Sequence, residues 1–115
     1  MAEDCIFCKI AAGRIPSTVV YSDDDFHAFR DIHPLAPTHV IVIPRKHIAK
    51  ITDASLEEGA LLGNLLLKAS EIAAHEGLAE NGFRLVINCG PWGGQAVFHL
   101  HLHILGGRPL ENALG

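Results

Sequence analysis

The chain has 115 residues, 49% of them hydrophobic and 19% charged, with a formal net charge of −4 when the histidines are neutral. That length holds one domain with a modest core and is too short for two, and the composition excludes a disordered chain. The negative balance excludes a global basic field for nucleic acid or anionic membrane, and no apolar run approaches the roughly 20 residues that cross a bilayer.

The opening "MAEDC" has neither a basic region nor an apolar one behind it, so a cytoplasmic protein is expected. "DCIFCKIAAGRIP" predicts a short helix capped by Asp4 and stopped by Gly13 and Pro16. "STVVYSDDDFHAFRDI" reads as two strands around an acidic turn at Asp23 to Asp25, with Val20, Phe26, Ala28, Phe29 and Ile32 as apolar positions. "HPLAPTH", with two prolines, is loop. The run Val40 to Ile43 predicts a strand buried on both faces and ended by Pro44. Ser55 and Glu58 form an S-x-x-E capping box, and a helix is expected from Ser55 to about Glu76, stopped by Gly77. Its stripe is Leu61, Leu62, Leu65, Leu66, Ala69, Ile72 and Ala73. "FRLVINCG" is another strand, "PWGGQ" a glycine-rich turn and "VFHLHLHIL" the last strand. The order predicts an α+β domain over residues 1–115, with a five-stranded antiparallel sheet and a tail from about residue 107. Exposed sheet edges in so small a domain favour pairing with a second copy.

Chemistry concentrates in the last strand. Same-face neighbours on a strand lie about 6.6 Å apart, so His99, His101 and His103 share one face while Phe98, Leu100, Leu102 and Ile104 share the other. Imidazole serves as nucleophile, general acid or base, or metal ligand at neutral pH. The adjoining "NCGPWGGQ" can present backbone N–H groups to an anion. An imidazole face beside such a turn points to chemistry on a phosphate, through a phospho- or nucleotidyl-histidine. His39 stands at the entrance to the buried strand and His47 follows it, while His27, His33 and His75 read as structural or surface residues. The three cysteines, Cys5, Cys8 and Cys89, are an odd set that argues against a disulfide framework. Spacing alone leaves Cys5-x-x-Cys8 open as a metal site, a redox pair or two buried thiols.

"HLHLHIL" matches the His-φ-His-φ-His-φ-φ pattern (φ apolar) of the histidine triad family. "IFCKIAAGRIP", "FRDIHPLAPTHVIVIPRKHI", "FRLVIN" and "GGQAVFHLHLHILGGRPL" resemble the corresponding segments of its nucleotide-binding branch, nearly the whole chain. The resemblance implies a histidine triad fold that dimerises into a larger continuous sheet. It implies hydrolysis of a purine nucleoside phosphoramidate or acyl-nucleotide to the nucleoside monophosphate. His101 would be the nucleophile, with His99 supporting it through its backbone, and His103 would assist the leaving group. His39 matches a fourth pocket histidine, and Asp31 the carboxylate that binds the ribose. Ile6, Phe7, Ile10, Phe29 and Ile32 would line the base pocket, although for Phe7 and Phe29 ordinary core is an equal reading. Asn88, Gly94, Gln95, Ala96 and Val97 match the phosphate cradle. Ala96 stands where this branch often has serine, which predicts a loss of at most roughly 10²-fold in rate. The tail lacks the tryptophan that some relatives carry.

Some members of the family hold a structural zinc at an N-terminal Cys-x-x-Cys. Cys5, Cys8, His47 and His99 would close such a tetrahedral site, and neither a catalytic metal nor an organic cofactor is expected. The implied partners are a purine nucleotide and a second copy of the chain, with no nucleic acid and no membrane. Alternatives are a dinucleoside polyphosphate hydrolase, a nucleotide- or partner-binding regulatory module with residual hydrolysis, and a metal protein in which the triad itself is the ligand set.

Overall fold

The unbroken apolar run in the middle of the sequence becomes the centre of the molecule, because both of its faces are covered. The computed structural model describes residues 4–114; residues 1–3 and 115, the ends of the domain expected over 1–115, lie outside the described residues. The elements are α1 (Ile6–Ala11), β1 (Val19–Ser22), β2 (Phe26–Arg30), β3 (Thr38–Pro44), α2 (Gly59–His75), β4 (Arg84–Ile87) and β5 (Leu102–Gly106). They form one antiparallel sheet in the order β1-β2-β3-β5-β4, the five-stranded α+β arrangement expected from the sequence.

Alternation along β3 divides the core. Val40 and Val42 join Phe26, Ala28, Leu100, Leu102 and Ile104 under α2. Ile41 and Ile43 face the other way, with Phe7, Ile10 and Phe29, under α1. A strand covered on both faces must be apolar at every position, which is why the period-2 signal vanishes there.

Local chemistry shifts several expected boundaries. Cys5, not Asp4, caps α1: its Sγ accepts the Cys8 N–H at 3.3 Å. The start of the long helix winds as a 3-10 turn over Leu56–Glu58 before α2 begins. There the Glu58 carboxylate reaches back to the Ser55 N–H at 2.6 Å, tightening that turn. Gly77 takes the left-handed conformation (φ +80°) that stops α2. The buried stripe of α2 is narrower than expected: Leu65, Ala69, Ile72 and Ala73 are buried, Leu61 and Leu62 half-buried, and Leu66 exposed.

The largest difference lies in the last strand, which begins at Leu102 rather than Val97. The Leu100 N–H leaves the ladder for the Ile48 carbonyl at 2.7 Å, and β3 has already ended at Pro44. The in-out alternation survives outside the ladder from Leu100 onward, since Leu100, Leu102 and Ile104 are all buried under α2. Phe98, expected on the same apolar face, is exposed instead.

Candidate active site

The histidines of the last segment emerge on the face covered by α1. The Phe7 ring meets those of His99 and His101 edge-on, with centroids 6.2 Å and 5.0 Å away, and His101 meets His103 at 5.0 Å. Side chains of one alternating run thus share a face but divide into two clusters with different chemistry.

His101 is buried, and its Nδ1 lies 2.7 Å from the His99 carbonyl. A carbonyl only accepts, so Nδ1 carries the proton and Nε2 keeps its lone pair. Burial pushes the ring below the ordinary imidazole range, which keeps that lone pair free at neutral pH. His103 lies opposite Ile41 in the β3–β5 register, so His39 on β3 reaches it diagonally, with Nε2 2.9 Å from His103 Nδ1. The Leu35 N–H donates to His39 Nδ1 at 3.1 Å, so the His39 proton sits on Nε2 and is donated to His103. His103 then carries its own proton on Nε2. Burial, with His101 and His39 close by, pulls His103 down to about 4, and burial likewise lowers His39. Asp31, just past the end of β2, places Oδ2 3.5 Å from His39 Nε2, and its Oδ1 accepts the His33 N–H at 2.7 Å.

His99 belongs to the second cluster. Its Nε2 lies 2.8 Å from the Pro44 carbonyl and must donate there, so Nδ1 is unprotonated. That nitrogen is 3.3 Å from Cys5 Sγ, 3.4 Å from Cys8 Sγ and 3.1 Å from His47 Nδ1, and Cys8 Sγ is 3.5 Å from His47 Nδ1. A tetrahedral zinc with ordinary bond lengths separates two nitrogens by about 3.3 Å and a sulfur from a nitrogen by about 3.6 Å. The donor set and its spacing therefore fit a divalent cation of that kind, and these four residues can hold one. Burial, with Cys5 beside it, pushes the Cys8 thiol up to about 11, so without a cation the sulfur keeps its proton. Asp31, His39 and His103 also lie close enough together to hold an ion, but His39 and His103 already satisfy each other.

The glycine-rich turn is internally tied. Asn88 Nδ2 donates to the Gly93 carbonyl at 2.7 Å. Gly94 adopts φ +84°, and a Cβ there would meet Asn88 Nδ2 at 3.7 Å. The N–H groups of Gly93, Gly94 and Gln95 bond back to Gly90 and Pro91. Gln95 differs from its expected place in a phosphate cradle: it is buried, its Oε1 accepts the Gly90 N–H, and its Nε2 donates to the carbonyls of Ala49 and Val97. Backbone donors for an anion must come from elsewhere, with Ala96 and Val97 next along the chain. Trp92, at the tip of the turn, is fully exposed.

The residues expected around a base divide by burial. Phe7, Ile10 and Phe29 are core, with Phe7 and Phe29 in edge contact at 5.4 Å, whereas Ile6 and Ile32 are exposed. A cavity of about 700 Å³ contains none of these residues; it opens between Thr38, Glu76 to Leu78 and Gly107 to Pro109. Sequence reasoning missed the carbonyls of Pro44 and Ile48 and the N–H of Leu35, because backbone groups leave no trace in residue type.

The HIT domain family model matches residues 12–110. The chain is 51% identical over 110 residues to the purine nucleoside phosphoramidase of Escherichia coli K12, covering 96% of this chain and 92% of that protein. A HIT family hydrolase from Legionella pneumophila has the same fold, with TM-score 0.95 and 53% identity over 97% of this chain and 100% of its own. A zinc-bound histidine triad family protein from Mycobacterium smegmatis superposes with TM-score 0.79 and 32% identity, covering 97% and 81% respectively.

Proposed function

The chain belongs to the HIT domain family, and we propose that it hydrolyses purine nucleoside phosphoramidates or acyl-nucleotides through a covalent nucleotidyl-histidine. The observation that carries this reading is the fixed tautomer of His101, whose Nδ1–H is held by the His99 carbonyl while Nε2 stands free beside His103. The name of the Escherichia coli relative supports the substrate class.

In the first half-reaction His101 Nε2 attacks the α-phosphorus. The new P–N bond forms as the bond to the amine breaks, and the amine leaves with the electron pair and takes a proton from solvent. The His101 ring gains positive charge, which the His99 carbonyl faces at Nδ1. His103 holds the leaving nitrogen by a hydrogen bond from Nε2 and keeps its proton, its ring fixed from behind by His39. Water then adds to phosphorus, the electron pair of the P–Nε2 bond returns to His101, and the extra proton goes back to solvent. Asp31 takes the ribose hydroxyls, with Asn88, Gly94 and the backbone at Ala96 and Val97 around the phosphate. Ile6 and Ile32 offer exposed apolar surface to the base, beside Phe7, Ile10 and Phe29. Zinc, when bound by Cys5, Cys8, His47 and His99, supplies a closed cross-link with no open position for chemistry.

The test compares wild type with His101→Ala on an adenosine phosphoramidate under single-turnover conditions. Wild type is expected to give a burst of amine and a trapped adenylyl adduct, and the variant neither, while still binding AMP. Turnover by the variant, or no turnover by a wild type that binds AMP, overturns the reading.

A further inference from the structure

We propose that the cluster of Cys5, Cys8, His47 and His99 positions the nucleophile: a divalent cation held there locks the His99–Leu100 peptide, and that peptide sets the tautomer of His101. The inference rests on the reading of His101 as nucleophile given above and adds a role for four residues that touch no substrate in that reading.

The argument follows one peptide unit. Its carbonyl, on His99, accepts the His101 Nδ1–H at 2.7 Å. Its N–H, on Leu100, donates to the Ile48 carbonyl at 2.7 Å. Each end of this clamp is therefore attached to a member of the cluster: His99 supplies the carbonyl itself, and Ile48 directly follows His47. The two imidazoles meet at 3.1 Å through Nδ1. His99 carries its proton on Nε2, for Pro44, so its Nδ1 presents a lone pair to the two sulfurs and to His47. A cation satisfies all four donors at once and joins the chain before Ile48 to the chain at His99. Without it, a single proton can serve only one of the contacts at His99 Nδ1 at a time. The His99 ring then keeps its Pro44 bond but loses the anchor at Nδ1, and the peptide plane gains freedom to turn. A peptide turned away from His101 frees Nδ1, and the ring can move its proton to Nε2, where attack requires a lone pair.

A role of this kind acts on the reacting nitrogen and not on ligand binding. The experiment uses the full-length, ¹⁵N-labelled protein in three forms: zinc-loaded wild type, wild type stripped by a chelator, and His47→Ala. His47→Cys serves as the variant that restores a fourth ligand. Zinc content, the ring ¹⁵N shifts of His101 at neutral pH, AMP affinity and the single-turnover rate are measured on each. Zinc-loaded wild type and His47→Cys should bind one zinc and show His101 protonated at Nδ1 alone. The stripped protein and His47→Ala should show a mixture of tautomers and at least a tenfold slower rate, with AMP affinity within about twofold. Metal-free protein with an unchanged tautomer overturns the proposal, and so does AMP binding lost in step with the rate, which marks a cluster that only holds the fold. Should wild type turn over no phosphoramidate, the functional reading fails while the His101 shifts still decide the coupling.

Discussion

His27 sits on β2 beneath α1, with Nδ1 3.0 Å from Ser22 Oγ; among the described residues its Nε2 is the buried side-chain polar atom with no hydrogen-bond partner. An orphaned buried nitrogen costs about 1–3 kcal/mol, whereas an apolar side chain of similar volume costs nothing there. His27→Leu is therefore expected to stabilise the protein by about 1 kcal/mol, read as a higher urea midpoint at unchanged slope. Asp31 makes a contrasting case. One of its oxygens already serves the His33 N–H, and the other is 3.5 Å from His39, leaving it partly free for a ligand. Asp31→Asn should weaken AMP binding about tenfold in a calorimetric titration while leaving the unfolding midpoint nearly unchanged. Residue type alone does not separate these roles. Eight histidines look alike in the sequence, and only partners distinguish the orphan, the proposed nucleophile and the candidate metal ligands.

At the scale of elements, much was legible where one face of a segment meets solvent. The strands other than β3, the helix stop at Gly77 and the sharing of one face by His99, His101 and His103 follow from periodicity and turn chemistry, and β3 from its unbroken apolar run. What was illegible depends on distant partners. The last strand starts five residues late because Leu100 bonds to Ile48, about fifty positions away, and Gln95 turns inward because Ala49 offers it a carbonyl. Helix α2 illustrates the narrowing of a predicted stripe to its packed part. Leu65, fully buried, anchors it on the sheet among Val42, Leu102 and Ile104. Leu65→Ala is expected to cost about 3 kcal/mol, measured by chemical unfolding, whereas Leu66→Ala on the exposed flank should cost less than about 0.5 kcal/mol.

For the whole molecule, buried neutral imidazoles set the response to acid. His27, His39, His99, His101 and His103 all sit below the ordinary imidazole range, burial being the leading cause in each, and His103 is near 4. Unfolded histidines take up protons near pH 6.5. Below that value the unfolded chain binds more protons than the folded one, so stability falls as the pH drops from about 6.5 towards about 4. Urea midpoints at pH 7, 6, 5 and 4.5 should decrease in that order; a constant midpoint across the series would contradict the burial of these rings.

The strand order β1-β2-β3-β5-β4 has a consequence for synthesis. The last strand made is not an edge; it slots between two strands already translated. Cys5 and Cys8 leave the ribosome more than ninety residues before their partner His99 and the proposed nucleophile His101. A nascent chain stopped before β5 holds β3 and β4 with no strand between them, and has neither cluster. Assembly of the site thus reports that β5 itself has been made, and any shorter chain carries an unfilled slot between β3 and β4.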